Sequence, residues 1–230
     1  VDYHIFDPAS TATTALAVGV SPENESGKRT YLAVTNTGHW VYTDDVASGS
    51  NADFTNVKKV TVNAFASSFP VDVKYIDAIG GWAVVNNSNR LYLITTGAKE
   101  SNFVLNGVGE GEKISAIGTD ANTIVIGTDT GKMYYADLSQ GLNSETVWTL
   151  VSGSGMTDEV RSITETGNGS YFAATKTGIF SITSKNGELS YDVFSDTVPT
   201  LEIQKPVVNG TANAFEGTWL LGGVYSDVLD

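Results

Sequence analysis

The chain has 230 residues, with 13 Lys and Arg against 26 Asp and Glu, so its formal net charge is −13. That balance argues against nucleic acid and anionic membrane surfaces as partners, because both are held by clustered cations. There are no cysteines, which removes disulfide scaffolds, thiol catalysis and Cys-ligated metals from consideration. Hydrophobic residues make up 41% and charged residues 17%, a globular balance. No apolar run reaches the ~18 residues of a transmembrane helix. The start at Val1, low Lys content and richness in Thr, Ser, Asn and Gly predict an exported domain, extracellular, periplasmic or on a bacterial cell surface, whose leader has been removed.

In chain order, Tyr3-His4-Ile5-Phe6-Asp7 reads as a strand without a partner. The first hairpin follows at Tyr31-Leu32-Ala33-Val34-Thr35-Asn36-Thr37-Gly38, with its return strand His39–Tyr42. A weak helical pattern covers Val60–Ser68. Trp82–Asn89 with Arg90–Ile94 is a second, looser copy of the hairpin. Ile124–Gly131 with Lys132–Tyr135 is the third. Tyr171–Gly178 with Ile179–Ile182 is the fourth, and Trp219-Leu220-Leu221-Gly222-Gly223 begins a fifth.

Gly38, Asn89, Gly131 and Gly178 occupy one position of the repeat. Gly and Asn tolerate positive φ, so this position predicts a tight turn with one left-handed residue. The flanking strands are apolar at almost every position, the pattern of strands buried on both faces. These turn residues recur every ~40–50 residues, the length of a four-stranded propeller blade. In the third unit the four strands are read as Lys113–Gly118, Thr123–Gly127, Lys132–Asp137 and Glu145–Val151. In the fourth they are Val160–Glu165, Ser170–Thr175, Gly178–Thr183 and Leu189–Phe194, with Asn186-Gly187 as a hairpin turn.

The run Ile124-Val125-Ile126-Gly127-Thr128-Asp129-Thr130-Gly131-Lys132-Met133-Tyr134 resembles the repeat of the regulator-type and Asp-box-related β-propellers. In the first and fourth units Asn36 and Lys176 stand where Asp129 stands in the third. No Trp-Asp pair closes a unit, which separates the chain from WD40 repeats. The resemblance implies an all-β fold: a single propeller over residues 1–230, of about five four-stranded blades (alternatively six or seven short ones), set within a longer exported protein. Asp2–Phe6 would close the ring by pairing into the last blade, removing an open edge.

Propellers host many activities, so function must come from side chains. His4 and His39 are the only histidines. Both are read as half-exposed strand residues, and neither as a catalytic base or metal ligand. Gly107–Gly111 reads as a flexible loop, without the helix and Lys-Ser/Thr of a phosphate cradle. Asp44, Asp45 and Asp129 read as solvated turn residues. No calcium loop, cofactor motif or metal set is expected. Acids near innermost strands, Asp72, Asp77, Asp120, Glu165 and Glu216, are the residues a glycosidase would use. Trp82 and Trp219 read as packing between blades. Trp40 and Trp148 are candidate ligand contacts, with Trp148 expected on an outermost, exposed strand. Together with Asp77, Asp120 and Glu165 they form the candidate contact set.

The leading expectation is a non-catalytic module that binds a protein partner through its loops. The alternatives are a carbohydrate-binding propeller and, third, a propeller glycoside hydrolase. Loops at Ser21–Lys28, Ala47–Phe54 and Val207–Glu216 carry no repeat signal and are where specificity would be written. Thr197–Pro206 reads as the crossing between the last two units.

Overall fold

A computed structural model describes residues 15–35, 38–43, 56–60, 70–195, 201–204 and 220–223. The closing strand Asp2–Phe6, the helical pattern beyond Val60, the loops Ala47–Phe54 and Val207–Glu216, and Glu216 and Trp219 lie outside these residues. The chain divides into two compact units, Val1–Val104 and Leu105–Asp230. Among the described residues there is no α-helix, and no helix long and apolar enough to cross a membrane.

The first unit carries two antiparallel four-stranded sheets. One is β1 (Ala15–Val20), β2 (Tyr31–Thr35), β3 (Gly38–Thr43) and β4 (Asn56–Val60), in that spatial order. The other is β5 (Asp72–Ile76), β6 (Gly81–Val85), β7 (Arg90–Thr95) and β8 (Glu100–Val104), again in chain order. Chain order equals spatial order because each strand hands on to its neighbour through a hairpin, the cheapest antiparallel connection. Leu32, Val34 and Val41 of the first sheet meet Trp82, Val84, Tyr92 and Ile94 of the second in one buried cluster. The Trp82 ring sits edge-on to Tyr75, centroids 5.4 Å apart. Its Cδ1 and Nε1 fill the space beside Gly19, where any Cβ would collide with them.

The second unit repeats the plan. Its first sheet holds β9 (Ile114–Thr119), β10 (Thr123–Thr128), β11 (Met133–Asp137) and β12 (Thr149–Leu150). Its second holds β14 (Val160–Gly167), β15 (Ser170–Thr175), β16 (Ile179–Lys185) and β17 (Glu188–Ser195). Between them β13 (Ser152–Gly153) pairs in parallel with the outer edge of β17. A last pair, β18 (Leu201–Gln204) with β19 (Leu220–Gly223), is antiparallel. These strands lie within a few residues of the sequence reading. Hydrophobic patterning fixes where apolar runs begin and end.

The expected fourth strand Glu145–Val151 is cut to two residues. Asn143 and Thr146 take its start into a turn, with Glu145 N–H donating to Asn143 Oδ1 and Asn143 N–H to Thr146 Oγ1. Such side-chain acceptors compete with the strand ladder. The chain then crosses through Val151 to pair with β17, so one short segment is hydrogen-bonded into both sheets.

The two sheets interlock through small residues. The space at Gly118 is taken by Ile163, and that at Gly127 by Val160, both from β14. Ser115, beside them, donates to the Val160 carbonyl at 2.7 Å. The core then runs through Val125, Met133, Tyr171, Ala173, Phe180 and Ile182.

The turns correct part of the expectation. Gly131 has φ 80°, as predicted, and backbone atoms of Thr157 and Asp158 crowd the place of its missing Cβ. Gly38 also has positive φ. In the second hairpin the left-handed residue is Asn87, not Asn89, and Gly178 is not left-handed. A repeated threonine braces three of the turns whatever the handedness of the glycine. Thr35, Thr128 and Thr175 each end a strand and donate Oγ1 to the carbonyl of the returning chain, to Gly38, Lys132 and Gly178. Thr175 Oγ1 also accepts from the Thr177 and Gly178 N–H groups, as Thr128 Oγ1 accepts from the Lys132 N–H in the Gly131 turn. The strongest turn signals are the pairs Asn186-Gly187, with φ 55° and 84°, and Asn168-Gly169, with φ 56° and 71°. Two successive positive φ values are the signature of a type I′ hairpin.

Candidate functional site

The five acids of the sequence reading separate. Asp72 lies on β5, with Lys74 Nζ 3.5 Å away. Asp77 begins a single exposed 3₁₀ turn that ends at left-handed Gly80. Glu216 lies outside the described residues. Only Asp120 and Glu165 come together, and they do so around Tyr171.

Tyr171 donates its hydroxyl to Asp120 Oδ2 at 2.8 Å. The other carboxylate oxygen, Oδ1, accepts the Asn122 and Thr123 N–H groups, both at 2.7 Å, and so shapes the turn between β9 and β10. Burial pushes the Tyr171 phenol well above its ordinary range, and the hydrogen bond to Asp120 and the charges of Asp120 and Glu165 push the same way. A phenol so raised stays protonated and is no nucleophile. Asp120 spends both oxygens on structure. A glycosidase pair needs two carboxylates facing each other across open space, whereas Asp120 and Glu165 meet around the Tyr171 phenol. Tyr171→Phe should cost about 1 kcal/mol. A double-mutant cycle with Asp120→Ala, read by urea denaturation, should give a coupling energy of similar size. Additive losses would show that the bond carries no energy.

Above this cluster a cleft of about 250 Å³ opens between the two sheets of the second unit. One wall is Asn122, Thr123, Tyr135 and Asp137. The other is Gly169, Ser184, Gly187 and Leu189. Every wall residue except Tyr135 sits at or within one residue of a strand end, so hairpin turns frame the opening. Asp137 accepts from Ser139 N–H at 2.7 Å, and its bonds to Ser139 hold its carboxyl below the usual range.

The tryptophans fare differently from the expectation. Trp148 precedes β12 and is 3% exposed, and its backbone crowds the place of the missing Gly107 Cβ. It is not a surface contact. The Trp148 backbone N–H donates to the Asn106 carbonyl at 3.2 Å, while the buried indole Nε1 has no hydrogen-bond partner among the described residues. Trp82 is core, as read. Trp40 lies on β3 opposite Ala33 and Lys59, and its side chain is outside the described set.

His39 is not half-exposed. It is fully buried, neither ring nitrogen has a hydrogen-bond partner among the described residues, and Nδ1 lies 3.9 Å from Glu100 Oε2. Burial lowers its pKa from 6.5 to about 4, so it is neutral at pH 7. Burial raises the Glu100 carboxyl, against a smaller lowering by Asn102. The hairpin pattern gave no warning, because a histidine after a turn reads as polar.

The glycine-rich loop is not a slack connector either. It ends on Glu112, which is buried and accepts from Thr130 Oγ1, Lys132 Nζ and the Tyr134 hydroxyl at 3.1, 2.5 and 2.8 Å. Burial works to raise the Glu112 carboxyl, but the bonds from Lys132, Tyr134 and Thr130 outweigh it and hold it low. Gly109 is required there, since a Cβ would lie 2.8 Å from the Glu112 carboxyl carbon. Asp129 is likewise a strut, accepting the Lys113 N–H at 2.9 Å.

No family model matches the chain, and no curated protein matches it. Solved structures do. One is a chain of an active polycomb repressive complex 2 in the basal state, with TM-score 0.56 and 13% identity over 76% of this chain and 38% of that one. Another is a chain of an S. cerevisiae assembly of a Dbp5 variant with Nup159, Gle1, IP6 and ADP, with TM-score 0.52 and 9% identity over 84% of this chain and 53% of that one. A third is human WBSCR16, with TM-score 0.53 and 12% identity over 84% of this chain and 56% of that one. The chain therefore spans between 38% and 56% of these solved chains. At such identities the likeness concerns fold alone.

Proposed function

We propose that the protein is a non-catalytic binding module, built as a β-propeller of about five blades closed by an N-terminal strand, that engages a protein partner outside the cytoplasm. The propeller reading is supported by the repeated four-stranded antiparallel sheet. It is supported again by first strands whose small residues receive large ones from the next sheet, Gly19 from Val73 and Gly118 from Ile163.

The observation that carries the binding reading is the apolar outer rim of the second unit. Val147 precedes the crossing segment, Leu150 lies in it, and Val193 and Phe194 lie on β17, which that segment joins. Leu150 is 54% exposed, Val193 52% and Phe194 58%. Solvent-facing apolar side chains on one rim are what a protein partner covers. The acids, by contrast, are spent on turns and struts.

The double variant Leu150→Asp/Val193→Asp should fail to capture the partner that the wild-type chain captures as bait, with the urea midpoint unchanged. Capture that survives both charges would overturn the reading. A second reading, carbohydrate binding, is favoured by the cleft between the two sheets.

A further inference from the structure

We infer that the cleft above Tyr171 is a binding site for one residue of a neutral saccharide. The inference rests on the carbohydrate reading and stands apart from the protein-partner one, since no rim residue lines the cleft.

The first argument is what the lining offers. Asn122, Tyr135 and Ser184 present a carboxamide, a phenol and a hydroxyl, and among the described residues none of these groups has a hydrogen-bond partner. Asp137 adds a carboxylate that Ser139 orients and that keeps acceptor capacity to spare. Amide and hydroxyl groups both donate and accept. A sugar's adjacent hydroxyls do the same, so each protein group can pair with either end of a hydroxyl. The half-buried Tyr135 ring supplies apolar surface for a pyranose C–H face. Gly169 and Gly187 let that face approach the backbone.

The second argument is what the lining refuses. No Lys or Arg lines the cleft, so nothing neutralises a phosphate, sulfate or uronate, and Asp137 repels all three. The single carboxylate is too little for a divalent cation, which takes several oxygen ligands. The volume of about 250 Å³ lies below the ~300–1,000 Å³ of pockets that enclose whole drug-sized ligands, and suits one ring with the rest of a chain outside.

The third argument is rigidity. Under the cleft, Asp120 ties the β9–β10 turn to β15 through Tyr171, and Ser115 ties β9 to β14. The walls are held before a ligand arrives, which spares the ordering cost of binding.

The test is a titration of the full chain with the methyl glycosides of glucose, galactose, mannose and N-acetylglucosamine, followed by amide NMR. The expected result is saturable shifts confined to Asn122, Thr123, Gly169 and Gly187 with at least one sugar. Methyl glucuronide should bind at least about tenfold more weakly. Asn122→Ala and Ser184→Ala should each weaken binding about tenfold, with the urea midpoint unchanged, since both side chains are exposed and unpaired. A panel without saturable shifts at these amides overturns the inference, and so does binding that survives both substitutions. The rim variant Leu150→Asp/Val193→Asp should bind the sugar as wild type does, so failure of this site and failure of the protein-partner reading are told apart.

Discussion

Gly118→Ala is expected to destabilise the second unit by about 3 kcal/mol, near the upper end of what overpacking usually costs. The cause is collision and not backbone strain. Gly118 does not have positive φ, but its Cβ would fall on the Ile163 side chain, with Ile163 Cβ at 3.0 Å. Ile163 cannot swing away, because it is fully buried in the cluster that holds Tyr171 and Phe180. Ile163→Ala alone should cost ~2–5 kcal/mol by leaving a cavity. The double variant should lose markedly less than the sum, because the new methyl enters the space that the isoleucine vacates. Urea denaturation of the four proteins measures this. Strict additivity would mean that the two positions do not share the space, and the interlocking of the sheets would have to be abandoned. Gly127→Ala against Val160 is the same experiment one strand over.

Acidification should weaken the first unit through His39. Its pKa is 6.5 in the unfolded chain and about 4 when folded. Between these values the unfolded state binds the proton and the folded state does not, so stability falls as pH falls. The loss begins below pH 6.5, proceeds at ~1.4 kcal/mol per pH unit, and reaches about 3 kcal/mol near pH 4. Glu100 works in the opposite sense. Its carboxyl is raised in the folded state, so it takes up a proton on folding and offsets part of the loss. Glu112 is held low and adds a further loss only at more acid pH, below the ordinary carboxylate range. His39→Leu should flatten the slope between pH 6.5 and about 4.5 while leaving the steeper acid limb. An unchanged slope in His39→Leu would show that the imidazole is not the group responsible.

These two positions mark the border of what sequence reading reaches. Strand positions in the second unit were legible because Ile124–Ile126 and Tyr171–Ala174 are apolar at consecutive positions between turn residues. A strand buried on both faces has no other way to be written. The hairpin at Asn186-Gly187 was legible because that dipeptide has a steric preference of its own. The exchange of Asn89 for Asn87 was not, because several residues of a polar turn can adopt positive φ and only the register of the flanking strands selects one.

The candidate site was half legible. Asp120 and Glu165 could be singled out as acids near inner strands, but their meeting at Tyr171 depends on the register of β14 against β15 and on the packing of two sheets. Asn122, Tyr135 and Ser184 went unremarked, since isolated polar residues at hairpin ends look like solvated turns. The seclusion of Trp148 was equally hidden. An aromatic beside a short strand faces in or out according to what the preceding loop covers.

The sequence by itself determined the charge, the absence of thiol chemistry, the all-β class, and the places of most strands and turns. These rest on composition and on interactions between residues close in the chain, which short-range patterning encodes. Tertiary structure alone decided that His39 is buried and neutral, that Glu112 is a buried strut, that Gly118 and Gly127 are sockets for β14, and that two hairpin ends frame a polar cleft. Each of these depends on which residues from distant segments arrive at one place, and burial, pKa and cavity shape are properties of that meeting and not of any one stretch of chain.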